Sequence, residues 1–108
     1  MATVFYSLHM LTVKLTPVFK KWLDSLKDQK AIDKITSRLI LMGAGSFGDV
    51  KPCGEGLSES RIHYGAGYRI YFIQHGKTVI VVLGGGTKKT QSQDIKKAKD
   101  VAKERKFL

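Results

Sequence analysis

The spacing of apolar residues changes partway along this 108-residue chain, and that change limits the fold more than any other feature. Between Phe19 and Met42, apolar side chains recur every three or four positions, which is the period of amphipathic helices. From residue 57 to residue 83, Ile, Val, Tyr and Phe dominate, as they do in the strands of a β-sheet. The sequence therefore predicts an α+β fold.

The helical part of the chain has a clear beginning. An alternating strand over 11–16 leads into Thr16 and Pro17, which form a helix N-cap and a proline at the first helical position. The first helix has one apolar face, and a second helix has another, made of Ile32, Ile35, Leu39 and Met42. Because the connection between them is short, we expect the two helices to form an antiparallel hairpin.

The second half of the chain predicts a sheet of three or four antiparallel strands, which include residues 57–64, 67–74 and 77–83. The glycine-rich segment 65–67 is typical of a three-residue hairpin loop, and His75 with Gly76 is typical of a two-residue turn. Further on, Thr90 and Gln93 have the spacing of a capping box that opens a C-terminal helix. We expect that helix to turn four residues inward, Ile95, Ala98, Val101 and Ala102.

The first hairpin contains polar residues that a strand interior does not need. With Tyr64 opposite Tyr68, four of them share one open face of the sheet, namely Arg61, His63, Arg69 and Tyr71. The helices then cover the other face, which holds Ile62, Ile70, Phe72, Val79 and Val81. Exposed arginines are often only solvated, and a cross-strand Arg–Tyr pair can simply stabilise a sheet. Guanidinium groups also bind phosphate, and tyrosine stacks on bases or donates a proton, so the open face is a candidate anion-binding surface.

The segment LGGGTKKTQ, residues 83–91, suggests a phosphate-binding loop at first sight. It lacks the glycine and lysine spacing of a Walker loop, and so does the GKT sequence at 76–78. We expect the glycines to let the chain leave the sheet and enter the last helix. That exit would present Lys88 and Lys89 beside a helix N-terminus, where anions are favoured.

Charge and cysteine content restrict the partners and the chemistry. Nineteen Lys and Arg against nine Asp and Glu give a formal net charge of +10, which attracts phosphate backbones, acidic proteins or anionic membranes. The single cysteine, Cys53, excludes an internal disulfide, and the three histidines lack metal-ligand spacing. No signal peptide and no membrane-spanning run is recognisable, so we expect a cytoplasmic protein without a membrane partner.

Several motifs at their observed spacing resemble a known family. WL..LKD, GSFGDVK, GYRIYF and K.TQ..DI..A, spread from Leu11 to Ala102, are similar to those of HigB-like addiction-module killer proteins in the RelE/ParE toxin superfamily. The similarity predicts one toxin domain over 1–108, in which residues 1–9 are an N-terminal extension. The implied fold is an N-terminal strand, a helical hairpin, an antiparallel sheet of three or four strands and a C-terminal helix.

The resemblance also implies a function. Such proteins are toxins of type II toxin–antitoxin systems, and a helix-turn-helix antitoxin from the same operon neutralises them. The toxin is expected to be a monomer when free and to form a hetero-oligomer with the antitoxin. The RelE branch cuts messenger RNA on the ribosome without a metal or another cofactor. By position, Arg69 matches a residue that contacts the scissile phosphate, Arg61 and His63 lie on the strand with further basic groups, and Lys88 or Lys89 follows the final strand.

The chain departs from that pattern in one important respect. Residues 91–108 contain no Tyr or His, so the C-terminal acid or base of some ribosome-dependent toxins is missing. The candidate catalytic residues are therefore Arg61, His63, Arg69, Tyr71 and Lys88. The candidate RNA-binding residues are Lys51, Lys89, Lys96 and Lys97, and no metal ligand is predicted. Two alternatives stay open, a ParE-like toxin that inhibits DNA gyrase without catalysis and an RNA-binding module without toxicity.

Overall fold

Two side-chain caps define the helical hairpin in the computed structural model, which describes residues 10–107. The Thr16 hydroxyl accepts a hydrogen bond from the Phe19 backbone N–H (3.2 Å) and begins α1 (Pro17–Ser25), as predicted. The Asp28 carboxylate accepts hydrogen bonds from the backbone N–H groups of Lys30 and Ala31 and begins α2 (Gln29–Gly43). The predicted pair of helices is confirmed, and the predicted extension 1–9 lies outside the described residues.

A single five-stranded sheet joins the two halves of the chain. In chain order its strands are β1 (Thr12–Leu15), β2 (Asp49–Gly54), β3 (Leu57–Ile62), β4 (Tyr68–His75) and β5 (Val79–Thr87), and α3 (Gln91–Glu104) follows. Their spatial order is β1-β5-β4-β3-β2, with all neighbours antiparallel except the parallel pair β1–β5. The α+β fold with a C-terminal helix is therefore confirmed. The edge strand β2 had no predicted range, because its proline and charged residues weaken the strand pattern.

The predicted pairing of β3 with β4 is wrong by two residues. Ile62 lies opposite Tyr68, and Arg61 lies opposite Arg69. The connection is residues 63–67 instead of a three-residue loop, because the Tyr64 N–H bonds to the carbonyl of residue 62 and closes a turn before the glycines. The β4–β5 register also differs, with Phe72 opposite Val82, because residues 76–78 form the turn and the register shifts after residue 71.

Helices cover both faces of the sheet, whereas we expected one covered and one open face. One cluster under α1 and α2 contains Ile62, Tyr68, Ile70, Phe72, Ile80 and Val82. The other, under α3, contains Leu57, Tyr71, Ile73, Val81 and Leu83. The residues expected to point inward from α3 do so, since Ala98, Val101 and Ala102 are buried in that second cluster and Ile95 packs against it. The prediction of an open basic face is therefore wrong, because α3 has an apolar face of its own to bury.

The glycine run belongs to β5 and does not serve as an exit from the sheet. A Cβ atom on Gly85 would overlap the Trp22 ring on α1, and a Cβ atom on Gly86 would overlap the Asp94 carboxylate on α3. The run therefore lets a helix approach each face of the same strand. Within residues 10–107, no helix combines the length and the apolar character that a membrane crossing requires.

The start of α3 also differs from the prediction. A 3-10 turn over Lys88–Thr90 precedes the helix, and Thr90 makes no side-chain capping hydrogen bond to it. The Thr90 backbone lies outside the extended region that an N-cap adopts, and its hydroxyl donates to the Asp94 carboxylate instead. The predicted capping box between Thr90 and Gln93 is therefore wrong.

Adding one methyl group to the glycine run is expected to have unequal effects on stability at neighbouring positions. Gly85→Ala should lower the free energy of unfolding by about 1–3 kcal/mol, because the new methyl meets the Trp22 ring in a packed core. Gly84→Ala is the matched control, since a Cβ there has no atom within 4 Å, and it should change stability by no more than about 0.5–1 kcal/mol. Urea denaturation measures both, and equal losses would contradict the close approach of α1.

Candidate functional site

Polar side chains from three adjacent strands form two rows on the sheet face that α3 covers. We call them the polar rows. The first row consists of Asp49, Arg61 and Arg69, which lie opposite one another on β2, β3 and β4. The second row, two residues along each strand, consists of Lys51, Glu59 and Tyr71. Because side chains two residues apart point to the same side of a strand, both rows lie on one face.

The first row places two arginines directly opposite each other, which is unfavourable unless anions compensate. Each arginine has its own carboxylate. Arg61 Nη2 lies 2.9 Å from Asp49 Oδ1 at the partly exposed end of the row, whereas Arg69 Nε lies 3.7 Å from Glu59 Oε2 in the interior. The two ion pairs thus keep two guanidinium groups adjacent.

Glu59 is fully buried and takes its hydrogen bonds from the first residue of α3. Gln91 Nε2 donates to both oxygens of the carboxylate, at 3.0 and 2.9 Å. A buried carboxylate is tolerated only when it is paired and hydrogen-bonded. The Gln91–Glu59 contact therefore links the beginning of α3 to the ion pair of Glu59 with Arg69. Arg69 is itself buried, with 7% of its surface exposed.

Asp49 connects the first row to His63, which lies just after β3. The Nε2 atom of His63 is 2.6 Å from Asp49 Oδ2, and the histidine side chain is 72% exposed. Hydrogen bonds from Arg61 and, to a smaller degree, from His63 hold the pKa of Asp49 below its ordinary value of 3.8. Sequence reasoning missed Asp49 because no strand was predicted around it, so its place opposite Arg61 was not visible.

Tyr71 does not lie on an open face as expected. It is fully buried under α3, and its hydroxyl has no hydrogen-bond partner within residues 10–107. Burial, and then the nearby charge of Glu59, raise the pKa of Tyr71 well above that of a free tyrosine. The phenol is therefore neutral at physiological pH, and it contacts a ligand only if α3 shifts.

The predicted lysines are all exposed, and they lie on three elements, the 3-10 turn, β2 and α3. Lys88 is next to Arg69, because the Lys88 backbone N–H and Arg69 Nη1 both donate to the Gly67 carbonyl, at 2.8 and 2.7 Å. Lys89 lines a depression of about 390 Å³ at the start of α3. The others are on the edge strand, Lys51, and on α3, Lys96 and Lys97.

Of the five candidate catalytic residues, Arg61, His63 and Arg69 lie in or beside the first polar row, and the Lys88 backbone lies next to Arg69 at the same end. Tyr71 is buried in the second row. Chemically, this end offers guanidinium and ammonium groups for an anion and a histidine whose other ring nitrogen is free of the Asp49 contact. Within the described part of the chain, no group of three or more His, Cys, Asp or Glu side chains is arranged to hold a metal ion.

Loss of the Gln91 amide is expected to destabilise the protein. Gln91→Ala removes both donors from the buried Glu59 carboxylate and should lower the free energy of unfolding by about 1–3 kcal/mol. Gln93→Ala, an exposed glutamine of the same helix, should stay within about 0.5 kcal/mol of the wild type. Guanidinium denaturation of the two variants tests this, and indistinguishable midpoints would show that the contact is not stabilising.

The pKa of Asp49 is expected to depend on its two hydrogen-bond partners, Arg61 and His63. Since its folded-state pKa is depressed, the stabilisation it provides is present above pH 3.8 and is lost as the pH falls through the lower folded value. Arg61→Gln should raise the Asp49 pKa more than His63→Gln, because the arginine hydrogen bond is the larger cause. Carboxyl ¹³C NMR measures the shift, with the remote variant Lys77→Gln as control. A larger effect of the histidine variant would contradict this order.

Comparison with known proteins places the chain. No family model matches the sequence. A protein of Haemophilus influenzae, described only as uncharacterized, is 40% identical over 94 residues, which are 87% of this chain and 95% of that protein. The E. coli toxin RelE, solved in the free state as a double arginine-to-alanine mutant, superposes with a TM-score of 0.62 at 15% identity, over 81% of this chain and 96% of that one. The chain therefore belongs to the family of the Haemophilus influenzae protein, and its fold is that of RelE.

Proposed function

We propose that this chain is the toxin of a type II toxin–antitoxin system and cuts messenger RNA on the ribosome without a metal. One observation carries the proposal, the pair of adjacent arginines in the first polar row with His63 and Lys88 beside it. The RelE-like fold supports a toxin in general. The HigB-like motifs of the sequence favour the branch that acts on RNA.

The arginines are proposed to bind the scissile phosphate. Arg61 keeps 30% of its side chain exposed, so its guanidinium can donate hydrogen bonds to a phosphate oxygen while Asp49 orients it. Arg69 lies beside it, more deeply buried, and adds positive charge where the phosphoryl oxygens of the transition state become more negative. Because ion pairs hold both guanidinium groups in place before the substrate binds, these groups need no reorganisation during the reaction.

His63 and Lys88 are proposed to move the protons. With Nε2–H of His63 donating to Asp49, Nδ1 accepts the proton of the ribose 2′-hydroxyl. The 2′-oxygen then bonds to phosphorus, the bond from phosphorus to the 5′-oxygen breaks, and Lys88 protonates that oxygen. The products are a 2′,3′-cyclic phosphate and a 5′-hydroxyl. These groups are weak acids and bases, so positioning of the RNA by the ribosome supplies much of the acceleration.

The remaining predicted residues have supporting roles in this proposal. Lys51, Lys89, Lys96 and Lys97 attract the RNA backbone at a distance from the reacting phosphate. Tyr71 would act as an acid only after a shift of α3, since its hydroxyl is enclosed. A cognate helix-turn-helix antitoxin is proposed to neutralise the toxin in the cytoplasm, where the free toxin is a monomer and the complex a hetero-oligomer.

Induced expression in bacteria tests the proposed function. The wild-type chain should stop incorporation of labelled amino acids, and mapping of RNA 5′ ends should show new cuts within translated codons. Arg61→Gln should lower cleavage by about 100-fold or more, as loss of one transition-state donor does in other enzymes. Lys77→Gln, with the same change of charge at the opposite end of β4, should cut like the wild type. Continued translation with filamentation and DNA damage would overturn the proposal in favour of gyrase inhibition.

A further inference from the structure

A cleft of about 540 Å³ separates α2 from the loop that connects β3 with β4. We call it the α2 cleft, and the residues that matter here are Lys30, Lys34, Arg38, His63 and Tyr64. It is the largest of the concavities described, and one of its lining residues, His63, also contacts Asp49 of the first polar row. The cleft therefore adjoins the first polar row and shares His63 with the candidate site.

Positive charge runs along one wall of the cleft. Lys30, Lys34 and Arg38 lie four residues apart on α2, so they share one helix face at intervals of about 6 Å. Asp33 is the one carboxylate among the lining residues. A linear array of cations at this spacing suits a polymer that repeats its negative charge, and it does not suit a compact anion.

Arg38 is fixed in place by the sheet. Its Nη1 donates to Ser60 Oγ at 2.7 Å and to the Arg61 carbonyl at 2.9 Å. The guanidinium keeps further donors for a ligand, because these two bonds use a single nitrogen. Arg38 thus ties the wall of the cleft to the strand that carries Arg61.

Tyr64 supplies an aromatic wall opposite the cations. Its ring lies nearly parallel to the Tyr68 ring, with the two centroids 6.5 Å apart and the planes at 18°. Its hydroxyl donates to the Asp28 carboxylate at 3.0 Å, so both the ring and the hydroxyl are held in place. The ammonium groups of Lys30 and Lys34 lie 5.6 and 5.5 Å from the ring centroid. An RNA strand offers both sets of groups a partner at once, phosphates for the lysines and a base for the ring.

We infer that the α2 cleft binds single-stranded RNA, with successive phosphates along Lys30, Lys34 and Arg38 and a base stacked on Tyr64. A row of cations with an aromatic side chain is how proteins hold single strands without reading their sequence. An acidic peptide fits less well, because Ile62 is 6% exposed and Leu41 is then the main apolar anchor available. The inference rests on the proposed function, in that a nuclease needs a surface to hold the strand that it cuts.

Binding is measured without cleavage, so that the two proposals can fail separately. The probe is a short fluorescein-labelled oligouridylate whose 2′-oxygens are methylated and cannot attack phosphorus. The double variant Lys30→Gln/Lys34→Gln should weaken binding about tenfold or more at about 0.1 M salt. It should also reduce the slope of log association constant against log salt concentration by about 1.4, which is about 0.7 for each lost phosphate contact. Lys20→Gln/Lys21→Gln on α1 removes the same charge from exposed positions and should bind nearly as the wild type does.

The aromatic wall has its own pair of variants. Tyr64→Leu should weaken binding by about 5-fold to 150-fold, the typical effect of losing one stacked base, whereas Tyr64→Phe keeps the ring and should bind normally. Thermal melting of both variants confirms that they fold. Equal losses in the two lysine variants would overturn the inference, since net charge alone would then explain binding. Tighter binding of a labelled oligoglutamate peptide that depends on Lys30 and Lys34 would also overturn it, in favour of an acidic protein partner.

Discussion

The buried carboxylate of Glu59 determines much of what surrounds it. An ion removed from water needs partners, and Glu59 has two kinds, the Gln91 amide and the Arg69 guanidinium. The first contact fixes where α3 begins on the sheet, and the second holds a cation in the interior beside Arg61. One acidic residue in the middle of a strand thus relates the C-terminal helix to the candidate site. A substitution there is felt both in packing and in the position of the charges.

Local patterns allowed the elements of the fold to be predicted, but the distances between elements depend on features that the patterns do not contain. Helical spacing identified the apolar faces of α1, α2 and α3, and these are the faces that pack. The face of the sheet that α3 covers could not be predicted, because Ala98 and Ala102 indicate close packing without indicating against what. The strand register was wrong because turn length is set by a backbone hydrogen bond at Tyr64 and not by the glycines.

The candidate site was predicted better in composition than in geometry. Arg61 and Arg69 were chosen for their alternation, and a register error of two residues left both on one face, since side-chain direction repeats every two positions. Asp49 was missed because a strand with a proline gives a weak signal. The burial of Tyr71 was missed because the sequence does not show which face of the sheet α3 covers. The direction of a side chain can be predicted from the alternation within its own strand. Its ion-pair partners and its burial depend on the neighbouring strand or helix, and these could not be predicted.

The parallel pairing of β1 with β5 has a consequence for the time at which the protein can fold. Thr12 pairs with Val79, and the ring of Trp22 packs over Gly85, so β1 and α1 both need partners from residues much later in the sequence. Contacts so distant in sequence form late and slow the folding of a domain. During synthesis, the first strand therefore stays unpaired until β5 has emerged from the ribosome. Gln91 follows β5, so the polar rows reach their final geometry only after the beginning of α3 has also been synthesised.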